Sequence, residues 1–262
     1  MRNKLTDELA VCGVNAVLAV CEHHPMTVNR LFLREDRLKQ LTGICKQLAE
    51  RKRPYKICED EELERICKSV HHQGVVVMIE EPDIEPLSLE DLELWANERK
   101  TGLILHSVGN DHNLGAIARA AAFFDAGFLV LNENDEEARL TTSAYRIAEG
   151  AMEHLTVRRI TNTAAFLKDA SKRLITIGTD TRARMRIGDL SGIVKSAKVK
   201  IDQAGGSGRP GIALVLGNEE TGLPENVKSQ CSCLLRIPGT GNIDSLNVSQ
   251  AAALFLHAIF EL

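Results

Sequence analysis

The sequence predicts an α/β protein in two parts: a small α/β/α sandwich over residues 1–80, and a mostly parallel sheet covered by helices on both faces over residues 99–262. Three observations carry this. Strand-like and helix-like patterns alternate along most of the chain, which favours parallel strands joined by helical crossovers. Several strand candidates, such as Gly74–Ile79 and Ile212–Leu216, are apolar runs of buried type. Between the two parts lies a segment, 76–98, with eight Asp and Glu and no Lys or Arg.

In chain order, Val14–Cys21 reads as a short apolar helix behind Gly13, and Val28–Leu33 as a strand. Leu38–Glu50 places Leu38, Leu41, Ile44, Cys45 and Leu48 at helical spacing. Tyr55–Cys58 reads as a short strand, Asp60–Cys67 as a charged helix and Gly74–Ile79 as a buried strand. Residues 81–98 hold Pro82 and Pro86, and read as an acidic linker with a helical turn or two at Leu87–Trp95. Strands are then expected at Gly102–His106, Gly127–Leu131, Leu155–Arg159, Arg173–Gly178, Ile212–Leu216 and Cys233–Ile237. Helices are expected at Leu114–Phe124, Thr141–Glu149, Thr163–Ala170, Pro224–Gln230 and Leu246–Leu262. Gly192 and the glycine-rich stretch 204–211 suggest a loop.

Composition bounds the function. With 44% apolar and 26% charged residues the chain is of ordinary globular type. No apolar run approaches the roughly 20 residues of a membrane helix, and no signal-type segment opens the chain, so the expected location is the cytoplasm. The seven cysteines are odd in number and none is spaced C-x-x-C, which argues against a disulfide framework or a zinc site. They read as small buried apolar residues, with Cys231 and Cys233 on one face of a strand. Net charge is −4, yet residues 1–75 carry 13 Lys+Arg against 11 Asp+Glu and residues 99–262 carry 19 against 17. Local basic patches are therefore compatible with a nucleic-acid partner.

Three segments of the second part combine a strand end, a polar loop and a helix start. In Gly109–Asp125, Asn113 stands at an expected helix start, where its side chain fits a cap. Arg119 sits among alanines, where partial enclosure calls for an anionic partner, either a salt bridge or a ligand. In Leu214–Pro224, an apolar strand ends in Gly217, Asn218 and Glu219, with Gly222 beyond; such glycines let a ligand approach the backbone. Neither G-x-G-x-x-G nor G-K-[ST] is present, which disfavours a dinucleotide enzyme or a P-loop. In Arg236–Ser249, a Pro/Gly loop leads to Ser245, Asn247 and Ser249 at the start of the last helix, which suits a simple cap at Ser245 or an anion site.

Taken together, these segments resemble the SpoU (TrmH) family of ribose 2′-O-methyltransferases, within the SPOUT superfamily. The matching stretches are Asn113-Leu-Gly-Ala-Ile-Ala-Arg119, Gly217-Asn-Glu-Glu-Thr-Gly222, and Ile237-Pro238 followed by Ser245-Leu-Asn-Val-Ser249. Ala148–Glu153 is similar to a further family stretch. Two positions depart from the pattern: Gly239 stands where the family usually has Met, and Glu220 where it usually has Gly. The first part resembles the L30e-like substrate-binding domain often fused ahead, through Gly13–Val17 and His72–Val75.

The resemblance implies a deep trefoil knot, an S-adenosylmethionine cofactor, an RNA substrate (rRNA or tRNA), a homodimer through the C-terminal domain, and no metal. It implies a catalytic set of Arg119, Asn113, Glu219, Ser245 and Asn247, with Arg119 holding the substrate phosphate and helping to activate the 2′-hydroxyl. It implies cofactor contacts at Leu216, Gly217, Asn218, Ile237 and Leu246. For RNA, the cationic candidates are Arg51 and Arg53 in the first part and Arg182 and Arg184 in the second, the latter with Arg186 at a spacing of two that an extended loop would point one way. The competing expectation is an RNA-binding protein that keeps the fold without catalysis.

Overall fold

Two separate sheets organise the chain in a computed structural model, which describes residues 8–133, 139–203 and 209–262. The expectations for the first residues of the chain and for the glycine-rich stretch at 204–208 lie outside the described residues. In order, the elements are β1 (Glu8–Cys12), α1 (Val14–His23), β2 (Val28–Leu33), α2 (Leu38–Glu50), β3 (Tyr55–Ile57), α3 (Asp60–Cys67) and β4 (Val75–Glu80). There follow α4 (Leu89–Asn97), β5 (Thr101–Leu105), α5 (Asp111–Phe123), β6 (Ala126–Asn132), α6 (Thr142–Ala148), β7 (Thr156–Ile160), α7 (Thr163–Ala170) and β8 (Ile175–Thr179). The last are β9 (Met185–Arg186), α8 (Leu190–Gln203), β10 (Ile212–Leu216), α9 (Glu225–Lys228), β11 (Cys233–Arg236) and α10 (Val248–Phe260).

Unit 1 comprises residues 1–83 together with 140–154. Its sheet has the order β1-β4-β2-β3, antiparallel except for the β2–β3 pair. β1 was not expected from the sequence; its five residues are all buried, Glu8 included, because Arg30 reaches the Glu8 carboxylate. The two stretches that carried the L30e resemblance meet: Gln73 Oε1 accepts the Val14 N–H at 2.9 Å, and Gly13 N–H donates to the His72 carbonyl at 3.3 Å. The segment 140–154, expected in the second part, instead packs here. Tyr145 and Met152 are buried, Glu149 accepts from Asn15 at 3.3 Å, and Gly150, at φ 93°, leaves a Cβ only 2.8 Å from Ala19 Cβ.

Unit 2 comprises 84–139 and 155–262. Its seven strands run β7-β6-β5-β10-β8-β11-β9, and every pairing is parallel. β10, Ile-Ala-Leu-Val-Leu, is buried at every position because it lies between β5 and β8 with helices on both sides. The acidic-linker reading of 81–98 is corrected. Leu89–Asn97 is a helix with a Ser88–Asp91 capping box, and its Leu92 and Trp95 enter the core with Phe128, Ala213 and Val215. Trp95 stacks on Phe128 at 4.9 Å and its indole N–H reaches the carbonyls of Lys100 and Ile212 at 3.1 and 3.2 Å. Arg158 at 3.0 Å from Asp91 holds that carboxyl below the usual range, against the opposing effect of burial. The expected loop around Gly192 is helix α8, anchored by buried Leu190 and Val194 at i, i+4. Cys231 precedes β11 rather than sharing a strand face with Cys233, and both are half-buried while the other five cysteines are buried.

The β5 backbone beneath Trp95 has no room for a side chain: a Cβ on Gly102 would lie 2.3 Å from the indole ring. Gly102→Ala is expected to cost about 1–3 kcal/mol through overpacking. Urea unfolding followed by fluorescence of the single tryptophan measures this; an unchanged midpoint contradicts the packing.

Candidate active site

The C-terminal ends of β5, β10 and β11 lead into the three loops of interest, where parallel α/β sheets place their ligands. His106 extends β5 by donating its N–H to the Leu216 carbonyl at 2.9 Å. After it, Ser107 adopts a left-handed φ of 57°, a conformation costly for a residue with a Cβ. Asn218 compensates: its Nδ2 donates to the Ser107 carbonyl at 2.9 Å. The Asn218 Oδ1 accepts the N–H groups of Glu220 and Thr221 at 2.9 and 3.1 Å, so this side chain fixes its own turn and the neighbouring loop at once. Gly217 sits against the turn's return, where a Cβ would lie 2.5 Å from the Gly222 carbonyl carbon.

Helix α5 starts earlier than expected. Asn110 is its cap, accepting from His112 N–H at 2.8 Å. Asn113 is thereby released from capping and is buried one turn inside. Its Nδ2 donates to Glu219 Oε1, and its Oδ1 accepts from Asn247 Nδ2 at 2.9 Å. Asn247, not Ser245, caps α10: its Oδ1 accepts the Ser249 N–H at 2.8 Å and the Ser249 hydroxyl at 2.6 Å. One chain of hydrogen bonds, Ser249 to Asn247 to Asn113 to Glu219, therefore joins all three segments. Each amide orientation in it is determined. Glu219 as a carboxylate only accepts, a backbone N–H only donates, and the two asparagines between them have a single consistent arrangement.

The other candidates fall at varying distance from this chain. Arg119 is exposed on α5 rather than partly enclosed, because the buried stripe runs through Asn113, Leu114, Ile117, Ala118 and Ala121. Ser245 and Leu246 are exposed, within a loop exposed from 238 to 247, and Ile237 is half-buried. Leu216 is buried and its carbonyl is used by His106, while the Asn218 side chain is used by the turn. Both departures from the family pattern are accommodated. Glu220 is not among the positive-φ residues, and a Cβ on Gly239 meets nothing within 4 Å. Among the cationic candidates, Arg53 is exposed, but Arg51 is committed to the carbonyls of Pro25 and Met26, the latter at 3.1 Å. Arg182, Arg184 and Arg186 are exposed, yet the chain turns at Asp180–Ala183, so they do not form the expected extended row. Sequence reading missed the coupling role of Asn218, whose signal was its place in an Asn-x-x-Thr turn. It also missed the half-buried His106, which shares hydrogen bonds with Thr163 at 3.0 Å and Asn132 at 3.4 Å. Among the described residues no group of three or more His, Cys, Asp or Glu side chains is placed to hold a metal.

Residues 100–257 match the SpoU rRNA Methylase family, and residues 10–84 match a family described as RNA 2′-O ribose methyltransferase substrate binding. The 23S rRNA (guanosine-2′-O-)-methyltransferase RlmB of Pseudomonas putida is 30% identical over 251 residues, covering 94% of this chain and 93% of that protein. The putative TrmH family tRNA/rRNA methyltransferase YacO of Bacillus subtilis is 33% identical over 193 residues, 72% of this chain and 70% of the relative. Among solved structures, an rRNA methyltransferase from Sinorhizobium meliloti superposes with a TM-score of 0.73 at 21% identity, covering 97% of this chain and 87% of that one. The SpoU methyltransferase AviRb from Streptomyces viridochromogenes, in complex with AdoMet, superposes with a TM-score of 0.72 at 19% identity, covering 97% and 90%.

Replacing Asn113 by Asp keeps the shape but sets a second carboxyl against Glu219 in a buried place. The folded pair then shares a proton, so its apparent pKa lies above that of the unfolded carboxyls. The folded state binds more protons, and stability falls as pH rises. The melting-temperature gap between Asn113→Asp and the parent is expected to widen from pH 5 to pH 8. An equal gap at both values means the Asn113–Glu219 hydrogen bond is not made.

Proposed function

Because the chain belongs to the SpoU rRNA methylase family, we propose that it transfers a methyl group from S-adenosylmethionine to a ribose 2′-hydroxyl of ribosomal or transfer RNA, in the cytoplasm. The observation that carries this reading is the hydrogen-bond chain through Asn113, Glu219 and Asn247, since it brings three segments distant in sequence into one fixed group. When bound, S-adenosylmethionine supplies a methyl on a sulfonium, open to direct displacement by an oxygen nucleophile.

The residues present suit that cofactor. The loop from β11 to α10 leaves Ile243 and Leu246 open to solvent, 81% and 47% exposed, the kind of apolar surface an adenine ring covers. Leu216, Gly217, Ile237 and Leu246 would offer main-chain groups to the same ligand. Asn218 is reassigned from cofactor contact to holding the loop. Arg119, permanently cationic and on the accessible face of α5, grips the phosphate beside the target ribose and favours the oxyanion that develops as the 2′-hydroxyl passes its proton to water. The O–C bond forms as the C–S bond breaks, so alignment is most of the work. Asn113, Glu219 and Asn247 hold α5 and α10 for that alignment; Ser245, exposed before the cap, would meet substrate.

We also propose a homodimer through unit 2. The C-terminal ends of α5 and α10 carry a contiguous aromatic group. Phe124 lies 5.0, 5.8 and 5.9 Å from the rings of Phe123, His257 and Phe260, and Phe123 is 80% and Phe260 57% exposed. Exposed clusters of large apolar side chains mark association surfaces.

Mapping of 2′-O-methyl groups at nucleotide resolution tests the activity, in rRNA and tRNA from cells lacking this protein and from cells carrying it. One methyl group is expected to be missing without it, and Arg119→Ala is expected to lower its restoration about 10²-fold or more. Full restoration by Arg119→Ala overturns the assigned role. Phe260→Asp is expected to shift the protein from dimer to monomer in light scattering; a parent already monomeric overturns the dimer.

A further inference from the structure

The edge of the large sheet sets two arginines side by side. β9 and β11 pair in parallel with Leu235 in register with Met185 and Arg236 in register with Arg186. Register partners point to the same face, so the two arginines stand side by side, opposite the face that buries Leu235. Like charges placed so oppose one another. Of the acids nearest in sequence, Asp180 is held by a cation and Asp189 by a backbone N–H. Asp180 pairs with Lys228 at 2.6 Å and accepts the Arg182 N–H at 2.8 Å, and Asp189 accepts the Arg186 backbone N–H at 2.7 Å. Among the ion pairs of the described residues none includes Arg182, Arg184, Arg186 or Arg236. Arg236 is half-buried, Arg186 is exposed, and β11 runs directly into Ile237.

We propose that Arg186 and Arg236 together grip one phosphate of the RNA, and that Arg182 and Arg184, exposed in and after the turn that precedes β9, add contacts to other phosphates; this rests on the RNA methyltransferase reading above. A guanidinium matches a phosphate through paired N–H donors, and an anion between the two removes their mutual repulsion. The spread over four arginines exceeds what a single carboxylate needs, which favours a polyanion over the cofactor's carboxylate. In a protein with a net charge of −4, attraction of RNA depends on such a local patch.

The test uses the full chain and a fluorescently labelled single-stranded RNA of mixed sequence, titrated by anisotropy at several KCl concentrations. The double variant Arg186→Gln/Arg236→Gln is expected to bind roughly tenfold more weakly, with the salt slope reduced by about 0.7 for each phosphate no longer neutralised. S-adenosylmethionine affinity, by calorimetry, is expected to stay the same, and Tm to hold or rise as the repulsion is relieved. The lysine variants, Arg186→Lys and Arg236→Lys, keep the charge and should keep most of the slope. If they fall as far as the glutamine variants, the effect is structural and the proposal fails. An unchanged slope in the double variant, with the parent binding RNA, overturns the site alone. Weakened cofactor affinity with an unchanged slope reassigns the pair to the carboxylate and also overturns it. A parent that binds no RNA removes the methyltransferase reading and the site together.

Discussion

The bond between Asn113 and Glu219 is the constraint on which the site depends. Without it, the β10 turn is tied to the loop before α5 through Asn218 and Ser107, but no polar group of the turn is fixed to α5 itself. With it, the carboxylate dictates which way the Asn113 amide faces, and that amide dictates the orientation of Asn247, the residue that begins α10. The start of the final helix is thus set by a carboxylate on another strand's loop. Buried polar chains of this kind are favourable only when every member is satisfied, and here each amide has both a donor and an acceptor engaged.

The sheet supplies the frame for that bond. β10 is apolar at all five positions because it is flanked by β5 and β8 and covered on both faces, so its C-terminal end is rigidly placed. Asn218 extends that rigidity outward by bonding the Ser107 carbonyl, which holds a backbone conformation that serine does not favour on its own. Trp95 closes the opposite end, its indole N–H shared between two carbonyls at the beginning of β5 and β10.

What could be read from the sequence follows physical lines. Helices α2, α3 and α7 were legible to the residue, since apolar spacing and flanking turn residues marked them. The helix α8 was not, because an exposed glycine and many lysines hide two apolar anchors, Leu190 and Val194. The linker reading failed for a related reason: net acidity masked Leu92 and Trp95, whose burial outweighs the surrounding charge. In the site, residue types and spacing identified Asn113, Glu219 and Asn247, but not their partners. Two caps were each misplaced, Asn110 taking the role expected of Asn113 and Asn247 that expected of Ser245. Capping preference is shared by all asparagines and serines near a helix start; which one caps is decided by where the others are bonded. Arg51 shows the same limit, since nothing in Arg-Lys-Arg says that the first guanidinium is committed to the carbonyls of Pro25 and Met26.

Unit 1 is completed by residues 140–154, with Tyr145 and Met152 buried and Gly150 tight against Ala19. The chain thus leaves this unit at Asp83, contributes strands and helices to unit 2, and returns. During synthesis, domains usually fold in order as they emerge from the ribosome. Here the amino-terminal unit has to wait, its α1 surface uncovered, until His154 has left the exit tunnel. Its folding is therefore timed by translation of a stretch of the other unit, and cleavage of the chain after Asp83 would separate the first unit from the segment that completes it.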